Sequence, residues 1–435
     1  MSLNEILNSD ELVSLPPFVV NDVNPIMGFS ENIDWGCERL NIPRIHSEFG
    51  FTGKGIVVAV IDTGVDAGHE DLKGAVIETL NTTSEPYSSS NGHGTGGSGI
   101  IGARKNDKGI LSCMPDCQII SIKALTESGN GSMTDIVEAI NLARSRKPHI
   151  INLSLGGGAG TPALKKAIED AAAEGIYVVC SAGNSGSDNS VGYPAKYPQT
   201  YAVGATNKDN KISAFSSRGS EVDISAPGEK ILTCWNKGGY ATVSGTSFSA
   251  PYVTGCFGLL IQAGIKPSLQ LLKDNAIDIE EPGPDHKSGN GLLDPYKIIK
   301  KHNMELANCA APGLVNIVDV TERSAVVKWS PESSAFNYVL LWREKPGGFN
   351  ESQPTKSTEV TLSNLKADVE YEVVIRSNCA NGTNNTPAYG FRTLRPSSPP
   401  PTPPPSSPDF SKLTQAQKFI READSLIAEF LSANK

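Results

Sequence analysis

Three short segments of the sequence carry the residue types that serine-based nucleophilic catalysis needs. Asp62 begins an Asp-Thr-Gly segment, His93 is the centre of Asn-Gly-His-Gly-Thr, and Ser247 is the third residue of Gly-Thr-Ser-Phe-Ser-Ala-Pro. Taken singly, these segments are also typical of a turn, a loop histidine and a helix N-cap. A serine hydroxyl becomes a strong nucleophile only when a histidine removes its proton and a carboxylate orients that histidine. The chain supplies one of each in order, and we interpret them as a catalytic triad.

These segments lie at the ends of predicted strands or at the starts of predicted helices. From about Glu31 to Asn308, short apolar runs rich in β-branched residues alternate with stretches of helical periodicity. Strand-like runs lie at 56–61, 119–122, 150–153 and 177–180, and helical patterns lie at 133–144 and 162–174. This alternation predicts an α/β fold, a doubly wound and mostly parallel sheet with helices on both faces. Chemistry in such sheets collects where strands end in loops and helix starts.

From about Trp35 to Tyr296 the sequence resembles the subtilisin family (the subtilases, peptidase family S8), in which the triad follows the same chain order. The resemblance implies a serine endopeptidase, a hydrolase that performs proteolysis on protein or peptide substrates through an acyl-enzyme intermediate. The competing hypothesis is a catalytically silent binding or scaffold protein with the same fold. Such proteins usually lose a triad member or the oxyanion donor, and this chain keeps all of them, so we favour the enzyme.

A Ser-Ala-Gly-Asn-Ser-Gly segment at 181–186 resembles the part of the family that carries the oxyanion asparagine. The resemblance implies that Asn184 donates its side-chain amide to the developing oxyanion, with the backbone N–H of Ser247 as the second donor. Ser185 would lie at the floor of the main specificity pocket, where it adds no charge that selects a basic side chain. The resemblance also implies a preference for broad, apolar or aromatic side chains in this pocket. Read without the resemblance, the same loop is a Gly-Asn turn after a strand.

Two further segments resemble the backbone edges between which the family holds an extended substrate. They are Gly129, Asn130 and Gly131 in one segment and Ser154, Leu155 and Gly156 in the other. Recognition by main-chain hydrogen bonds requires an unfolded or looped segment of the substrate and reads little of its sequence. We therefore expect broad specificity.

Part of a calcium loop of the family is also present. Asp71, in His-Glu-Asp-Leu, and Asn106, in Arg-Lys-Asn-Asp-Lys-Gly-Ile, match the side-chain ligands of the family's tight calcium site. Carboxylate, amide and carbonyl oxygens suit this hard cation, so we expect structural calcium. Lys105 and Lys108 place positive charge in the same loop, so a loop that is structural without an ion remains the alternative.

The chain departs from the family around the catalytic residues. Gly96 and Gly97 follow His-Gly-Thr where the family has bulkier residues. Each glycine is expected to weaken the helix by roughly 1 kcal/mol relative to alanine. Phe248, Ser249 and Tyr252 replace Met, Ala and His of the family after the nucleophile. None of the three belongs to the proton relay, so we expect them to change specificity rather than chemistry.

Composition limits the partners and the compartment. A formal net charge of −9 is unlike the clustered Lys and Arg that phosphates require, so we expect no nucleic-acid partner. The longest apolar candidate, at 255–265, is far shorter than the ~20 residues of a membrane span. Residues 1–10 carry acids and no apolar core, so we expect no ordinary secretory signal. We predict a cytoplasmic protein, and the alternative is an extracellular protein released without an ordinary signal peptide.

The eight cysteines are scattered rather than arranged as a disulfide framework. Cys113 and Cys117 are spaced like half of a zinc site, but no second Cys or His pair lies nearby in the sequence, which disfavours zinc. Cys256 falls on the predicted helix after the nucleophile, where we expect a small core residue. Cys309 and Cys379 are placed to form a disulfide, but the expected absence of a signal favours reduced thiols.

Residues 309–394 change to an alternation of period two, which predicts a small all-β sandwich. This segment resembles a fibronectin type III domain. Trp329 matches the core tryptophan of that family, and Leu365 and Tyr371 match the leucine and tyrosine of its tyrosine corner. A sandwich of another family remains the alternative.

The last two segments of the chain have simple patterns. Residues 395–408 are almost entirely Pro and Ser, which predicts a semi-rigid, extended spacer. Residues 409–435 predict an amphipathic helix, because apolar residues recur there at spacings of three and four. They are Leu413, Ala416, Phe419, Ile420, Ala423, Leu426, Ile427, Phe430 and Leu431. We expect a protein partner for the sandwich and for this helix.

Residues 1–30 precede the predicted peptidase domain of 31–308 and are too few for a folded inhibitory propeptide. Within them, Leu-Pro-Pro-Phe at 15–18 resembles the Leu-x-Pro-Tyr motif of intracellular subtilisins, to which the chain is closest in style. The resemblance implies an extension that crosses the cleft, with two prolines that fix φ and keep a scissile bond out of register. A disordered tail is the alternative.

Overall fold

The computed structural model describes residues 12–24, 31–157, 159–308, 310–379, 382–396 and 411–433. Contacts divide the chain into two compact units, Met1–Glu305 and Leu306–Lys435. Most of the predicted spacer at 395–408 lies outside the described residues, and the domain bounds drawn from the sequence stay predictions.

The first unit contains most of the strands and helices. Its strands are β1 (Leu12–Ser14), β2 (Val19–Asn24), β3 (Val57–Asp62), β4 (Val76–Asn81), β5 (Gln118–Lys123), β6 (Asn130–Ser132), β7 (Ile150–Leu153), β8 (Tyr177–Ser181), β9 (Thr200–Thr206), β10 (Ile224–Pro227), β11 (Ile231–Cys234) and β12 (Tyr240–Ser244). The helices that begin in it are α1 (Trp35–Arg39), α2 (Ile42–Phe49), α3 (His93–Gly102), α4 (Met133–Ser145), α5 (Pro162–Ala173), α6 (Thr246–Gln262), α7 (Leu269–Asn275) and α8 (Pro295–Asn308). A short 3-10 helix spans Asn236–Gly238.

A seven-stranded sheet forms the centre of this unit, in the order β10-β9-β8-β7-β3-β5-β4. Every pairing in it is parallel. The four strand-like runs predicted from the sequence are β3, β5, β7 and β8, which lie in the interior of the sheet. Strands covered on both faces read as continuous apolar runs, which is why these four were visible in the sequence. The predicted α/β fold with a parallel sheet is confirmed.

Alternate residues of β3 show how the sheet divides the core into two layers. Val58 and Val60 belong to a buried cluster that includes Phe248 and Phe257 of α6. Ala59 and Ile61 belong to a second cluster, which includes residues of α4 and α5. Successive side chains of a strand point to opposite faces, so this one strand contributes to both layers and is held rigidly between them. That rigidity matters because β3 ends at Asp62.

The described part of the N-terminal extension forms strands rather than a disordered tail. Strand β1 pairs antiparallel with β6, with Val13 opposite Gly131. Strand β2 pairs antiparallel with β12, which also pairs with β11, so these three strands form a separate sheet. Residues 12–24 are thereby fixed at two points of the first unit.

The second unit is a β-sandwich, as predicted. Its elements are β13 (Gly313–Val318), β14 (Ala325–Ser330), β15 (Ala335–Glu344), β16 (Asn350–Glu351), β17 (Glu359–Leu362), β18 (Glu370–Cys379), β19 (Gly382–Asn385), β20 (Tyr389–Arg392) and α9 (Ser411–Ala433). One sheet has the order β13-β14-β17, and the other has the order β16-β15-β18-β19 with β20 also paired to β18. All of these pairings are antiparallel.

The core of the sandwich contains the three residues that the sequence singled out. Trp329, Leu365 and Tyr371 are all buried in one cluster. The hydroxyl of Tyr371 accepts a hydrogen bond of 2.9 Å from the backbone N–H of Lys366. A tyrosine that bonds back to the backbone a few residues upstream is the tyrosine corner expected for this fold.

The cysteines divide into two groups. Cys37, Cys113, Cys117, Cys180, Cys234 and Cys256 are free and buried. Cys379, at the end of β18, is disulfide-bonded, so the expected reduced thiol is not found there. Cys309, its predicted partner, lies outside the described residues.

Helix α9 exposes the apolar residues that its sequence pattern predicted. Phe419, Ile420, Leu426, Ile427, Phe430 and Leu431 are all at least half exposed. None of the helices in the described part of the chain is long and apolar enough to cross a membrane.

Candidate active site

The three predicted triad residues lie at the end of one strand of the parallel sheet and at the starts of two helices. Asp62 is the last residue of β3, His93 is the first residue of α3, and Ser247 is the second residue of α6. Their side chains are at most 2% exposed. All but the first residue of β3 are buried, and so are the first fifteen residues of α6, so two of the three residues are held by well-packed backbone.

The aspartate and the histidine form a close pair. His93 Nδ1 lies 2.8 Å from Asp62 Oδ1 and 3.0 Å from Asp62 Oδ2. Asp62 Oδ1 also accepts a hydrogen bond of 2.7 Å from the backbone N–H of Thr63. A carboxylate only accepts, so the imidazole carries its proton on Nδ1 and leaves Nε2 as a free base. This is the tautomer that general-base catalysis requires.

The serine and the histidine are not hydrogen-bonded in this structure. Ser247 Oγ donates instead to the backbone carbonyl of Ser154, at 3.4 Å. His93 Nε2 has no hydrogen-bond partner within the described part of the chain. The base is therefore free, and the nucleophile is directed away from it.

The predicted oxyanion donor is oriented by the start of α6. Asn184 Oδ1 accepts from both the backbone N–H and the hydroxyl of Thr246, at 2.9 and 2.8 Å. These two bonds fix the amide so that Nδ2 faces the cleft, where it donates to the carbonyl oxygen of Pro17 at 2.8 Å. A peptide carbonyl thus accepts from the residue that we predict to be the oxyanion donor. Thr246 as the orienting residue was not predicted, although it directly precedes the nucleophile.

Both predicted backbone edges hold the N-terminal extension. The N–H of Ser14 donates to the carbonyl of Gly156 at 3.1 Å, and the N–H of Gly156 donates back to Ser14 at 3.0 Å. The N–H of Leu15 donates to the carbonyl of Gly129 at 2.9 Å. Residues 12–14 pair in register with Asn130, Gly131 and Ser132 of β6. The extension therefore forms the middle strand between the two edges, which is the position expected of an extended substrate.

The other residues of the predicted substrate site take different roles. Leu155 is fully buried in the core. Ser154 Oγ donates to the backbone carbonyl of Ser247 at 2.8 Å, so it supports the start of α6. Ser185 is exposed, and its backbone N–H donates to Ser217 Oγ at 3.2 Å.

The two prolines reduce the number of hydrogen bonds that the extension can donate to the two backbone edges. Neither Pro16 nor Pro17 has an N–H to donate. The carbonyl of Ser154, on one of the two edges, accepts from the hydroxyl of Ser247. The extension therefore lacks two of the main-chain donors that a substrate without proline would offer to the edges.

An aromatic group around His93 was missed by the sequence reasoning. The ring of Phe18 lies 4.8 Å from the imidazole, 6.0 Å from Phe248 and 6.4 Å from Trp235, measured between centroids. Phe18 and Phe248 each lie in a recognised segment of the sequence. Nothing in the sequence links Trp235 to them, because it lies 142 positions after His93 and outside every recognised motif.

The glycines on either side of His93 leave room for two aromatic rings. A Cβ on Gly96 would lie 3.1 Å from the ring of Phe248 and 3.2 Å from that of Trp235. A Cβ on Gly92, where φ is +88°, would lie 2.5 Å from Trp235. Helix α3 still spans ten residues, His93–Gly102, and all of them are buried. Tertiary packing of two large rings therefore compensates for the low helix propensity of glycine.

The tyrosine that replaces histidine in α6 has a partner of its own. Tyr252 is 1% exposed, and its hydroxyl donates to Asp34 Oδ2 at 2.5 Å. Burial raises the pKa of Asp34, and the hydrogen bonds that it accepts act in the opposite direction. This pair lies away from the proton relay and contributes to packing.

The predicted calcium residues lie next to each other. Asp71 Oδ1 accepts from Asn106 Nδ2 at 3.0 Å, and Asp71 Oδ2 accepts from the backbone N–H of Ile110 at 3.0 Å. The side chain of Glu31 lies at the same loop, where Oε1 accepts from the backbone N–H of Asn106 at 2.9 Å. Lys108 pairs with Glu70, so its charge is balanced on the outside of the loop. The donor set of two carboxylates and an amide fits calcium. Rotating the Asn106 amide by half a turn would present its oxygen toward Asp71.

A buried thiol and a histidine border the same carboxylate, and neither was predicted. Cys234 Sγ lies 3.9 Å from Asp71 Oδ2, and His69 Nδ1 accepts from the backbone N–H of Asp71 at 3.1 Å. Burial, with the charge of Asp71 nearby, raises the pKa of the Cys234 thiol, so it stays protonated and can donate to the carboxylate. No spacing in the sequence signals the contact with the thiol, because Cys234 lies 163 positions after Asp71.

Comparison with known proteins is consistent with this geometry. The profile of the subtilase family matches residues 53–291, and that of the fibronectin type III domain matches residues 310–390. Subtilisin amylosacchariticus of Bacillus subtilis subsp. amylosacchariticus is 40% identical over 239 residues, which cover 54% of this chain and 62% of the relative. The intracellular serine protease of Paenibacillus polymyxa is 39% identical over 237 residues, which cover 52% of this chain and 72% of the relative. The match to the first of these thus spans less than two thirds of its length.

Proposed function

Because the chain belongs to the subtilase family, we propose that it is a serine endopeptidase whose nucleophile is Ser247. The observation that carries this proposal is the arrangement around Pro17. A peptide carbonyl accepts from Asn184 Nδ2 at 2.8 Å, in a cleft that also contains the Asp62–His93 pair with a free Nε2. That is the environment in which a serine can attack a carbonyl carbon.

The mechanism begins when the hydroxyl of Ser247 turns from the Ser154 carbonyl to His93 Nε2. The imidazole takes the proton as Oγ attacks the scissile carbonyl, and Asp62 stabilises the imidazolium that forms. The oxyanion is bound by Asn184 Nδ2 and by the N–H of Ser247, which has no acceptor within the helix because it lies in the first turn of α6. His93 then protonates the leaving amine, and a water molecule hydrolyses the acyl-enzyme by the same steps in reverse order.

Substrates are proposed to be proteins or peptides that bind as extended strands. The contacts of Ser14 and Leu15 with Gly156 and Gly129 give the pattern that such a strand would follow. Three main-chain bonds hold the two residues, and main-chain bonds do not depend on the side chain. Ser185 would add no charge to the main pocket.

The enzyme hypothesis and the scaffold hypothesis are separated by a covalent serine probe. A fluorophosphonate should label the full-length chain at Ser247 once the extension is loosened by Val13→Asp and Leu15→Asp. Peptide mapping of the adduct by mass spectrometry identifies the residue, and His93→Ala in the same background should prevent labelling. Absence of label in the loosened chain would favour the scaffold.

We also propose a structural calcium ion at the loop that contains Asp71 and Asn106. Asp71, Asn106 and Glu31 would hold it, and the ion would neutralise a carboxylate that is completely buried. Its role would be to join the loop before β5 to the loop after β3, far from the proton relay.

Removal of calcium is expected to lower the melting temperature of the full-length Ser247→Ala chain. Binding to the native state stabilises by mass action, by roughly 2.7 kcal/mol at a hundredfold excess over the dissociation constant. Thermal unfolding in excess chelator and in added calcium measures the shift. Lys108→Ala removes positive charge from the loop and should enlarge the calcium-dependent shift. Identical melting curves in chelator and calcium would eliminate the site.

The compartment is proposed from two observations that point in different directions. The likeness to an intracellular serine protease of Paenibacillus polymyxa supports the cytoplasm. The disulfide at Cys379 supports the extracellular alternative, because disulfides persist in oxidising surroundings. We retain the cytoplasm as the first proposal, with the sandwich and α9 as surfaces for a protein partner.

A further inference from the structure

Phe18 occupies a pocket whose walls are aromatic. Its ring lies 4.8 Å from His93, 6.0 Å from Phe248 and 6.4 Å from Trp235 between centroids, at interplanar angles of 56°, 76° and 59°. Tilted and edge-to-face contacts at 4.5–7 Å are the favoured arrangements of aromatic pairs. The pocket therefore makes specific ring–ring contacts with Phe18 in addition to burying its side chain.

The walls of this pocket are built into the fold and do not depend on Phe18. Phe248 is fully buried in the core cluster, and Trp235 is 6% exposed. The two rings fit against α3 only because Gly92 and Gly96 have no Cβ. Phe248 lies in α6, and Trp235 directly follows β11. A preformed apolar pocket costs little ordering when a ligand enters it.

The direction of the chain assigns the pocket to one side of the scissile bond. Pro17 contributes the carbonyl that accepts from Asn184, and Phe18 is the residue after it. A substrate whose scissile carbonyl takes that position would place its next residue, the first of the leaving group, where Phe18 lies. Beyond it, Val19 pairs with Ser244 of β12.

We infer that Trp235 and Phe248 form a subsite that selects an aromatic side chain on the first residue of the leaving group. The inference rests on the proposed peptidase function and adds a substrate class to it: segments cleaved on the amino side of Phe, Tyr or Trp. The extension uses the same subsite through Phe18, so it competes with substrate there.

The test lets amino-acid amides compete with water for the acyl-enzyme. In this reaction the amine nitrogen bonds to the acyl carbon, the bond to Ser247 Oγ breaks, and the amine proton passes through His93 to Ser247. The acyl-enzyme is formed from a peptide ester by the full-length chain with Val13→Asp and Leu15→Asp. The ratio of amide product to hydrolysis product, measured by chromatography, then reports the leaving-group subsite alone.

Phenylalanine amide is expected to be captured about tenfold better than alanine amide at equal concentration, because an apolar side chain in a pocket changes selectivity by roughly 10–200-fold. Leucine amide should be captured with an efficiency between the two. Trp235→Leu and, separately, Phe248→Met should each lower the Phe-to-Ala ratio several-fold. Trp35→Leu, a change of the same type outside the pocket, should leave the ratio as it is.

Two results would overturn the inference and are distinguishable from each other. If the ester is turned over but phenylalanine and alanine amides are captured equally, the subsite does not exist while the peptidase function stands. If the preference for phenylalanine amide persists in both Trp235→Leu and Phe248→Met, these two residues do not form the subsite. If the ester is not turned over and the serine probe does not label Ser247, the proposed function fails, and the inference fails with it.

Discussion

Replacing Ser247 by alanine is expected to lower kcat on casein by about 10⁶, whereas replacing Asn184 by alanine is expected to cost only about 10²–10³; both are the losses known for subtilisin itself. The difference follows from the roles. Without Ser247 Oγ no acyl-enzyme forms, but without Asn184 Nδ2 the backbone N–H of Ser247 still binds the oxyanion. Both variants are compared in full-length chains that carry Val13→Asp and Leu15→Asp, so that the cleft is open.

Melting temperatures distinguish a loss of catalysis in these variants from a loss of folding. Among the described residues, Ser247 Oγ donates one long hydrogen bond of 3.4 Å, so its removal should leave the melting temperature close to that of the parent. Asn184 Oδ1 accepts twice from Thr246, so Asn184→Ala is the less stable of the two. Ser187→Ala, an exposed change on the same loop, serves as the control and should keep full activity. Equal and complete loss from both Ser247→Ala and Asn184→Ala would contradict the assigned roles.

The parallel sheet could be predicted, and candidate catalytic residues could be proposed, because their signals are local. Strand β3 reads as a continuous apolar run since both of its faces are covered. Asp62 follows that run directly, and Ser247 opens a long apolar helix, so each residue carries its own structural context. The path of the extension was predicted from four adjacent residues for the same reason.

Features that depend on contacts between distant segments were not predicted. Trp235 comes close to Phe18 only through the fold. Gly96 was interpreted as a weak point of α3 because the two rings that need its missing Cβ are far away in the sequence. The thiol of Cys234 beside Asp71 is another case, since a lone cysteine has no spacing to interpret. Pairwise packing of this kind is decided by tertiary structure, which outweighs local propensity.

Loosening the N-terminal extension is expected to activate the enzyme from the first minute of the assay. Val13 is 2% exposed and belongs to the same buried cluster as Leu125, Met133 and Leu155. Its burial contributes roughly 1.5–3 kcal/mol, which corresponds to about tenfold to a hundredfold in occupancy of the cleft. Val13→Asp with Leu15→Asp should therefore raise the initial rate on a peptide substrate by at least about tenfold. A chain that begins at Glu31 should behave in the same way.

Leu12→Asp provides a matched control on the same strand. Leu12 is 69% exposed, so a carboxylate there stays in water and should leave the inhibition intact. This comparison separates loss of the buried contact from a general effect of added negative charge. The melting temperatures of both variants verify that the peptidase unit remains folded.

The unmodified chain should show a lag, and the reason lies in how Pro16 and Pro17 cross the cleft. An intramolecular strand acts at high effective concentration, so it occupies the cleft even with imperfect pairing. It is not cut there readily, because Ser247 Oγ donates to the Ser154 carbonyl rather than to His93, and the ring of Phe18 lies 4.8 Å from the imidazole. The first cut is therefore made by another molecule, on an extension that has left its own cleft. The lag should shorten as the enzyme concentration rises, and Ser247→Ala protein added in excess should be trimmed by the active chain. Equal initial rates for the loosened and unmodified chains, without a lag in either, would mean that residues 12–24 are bound without inhibiting.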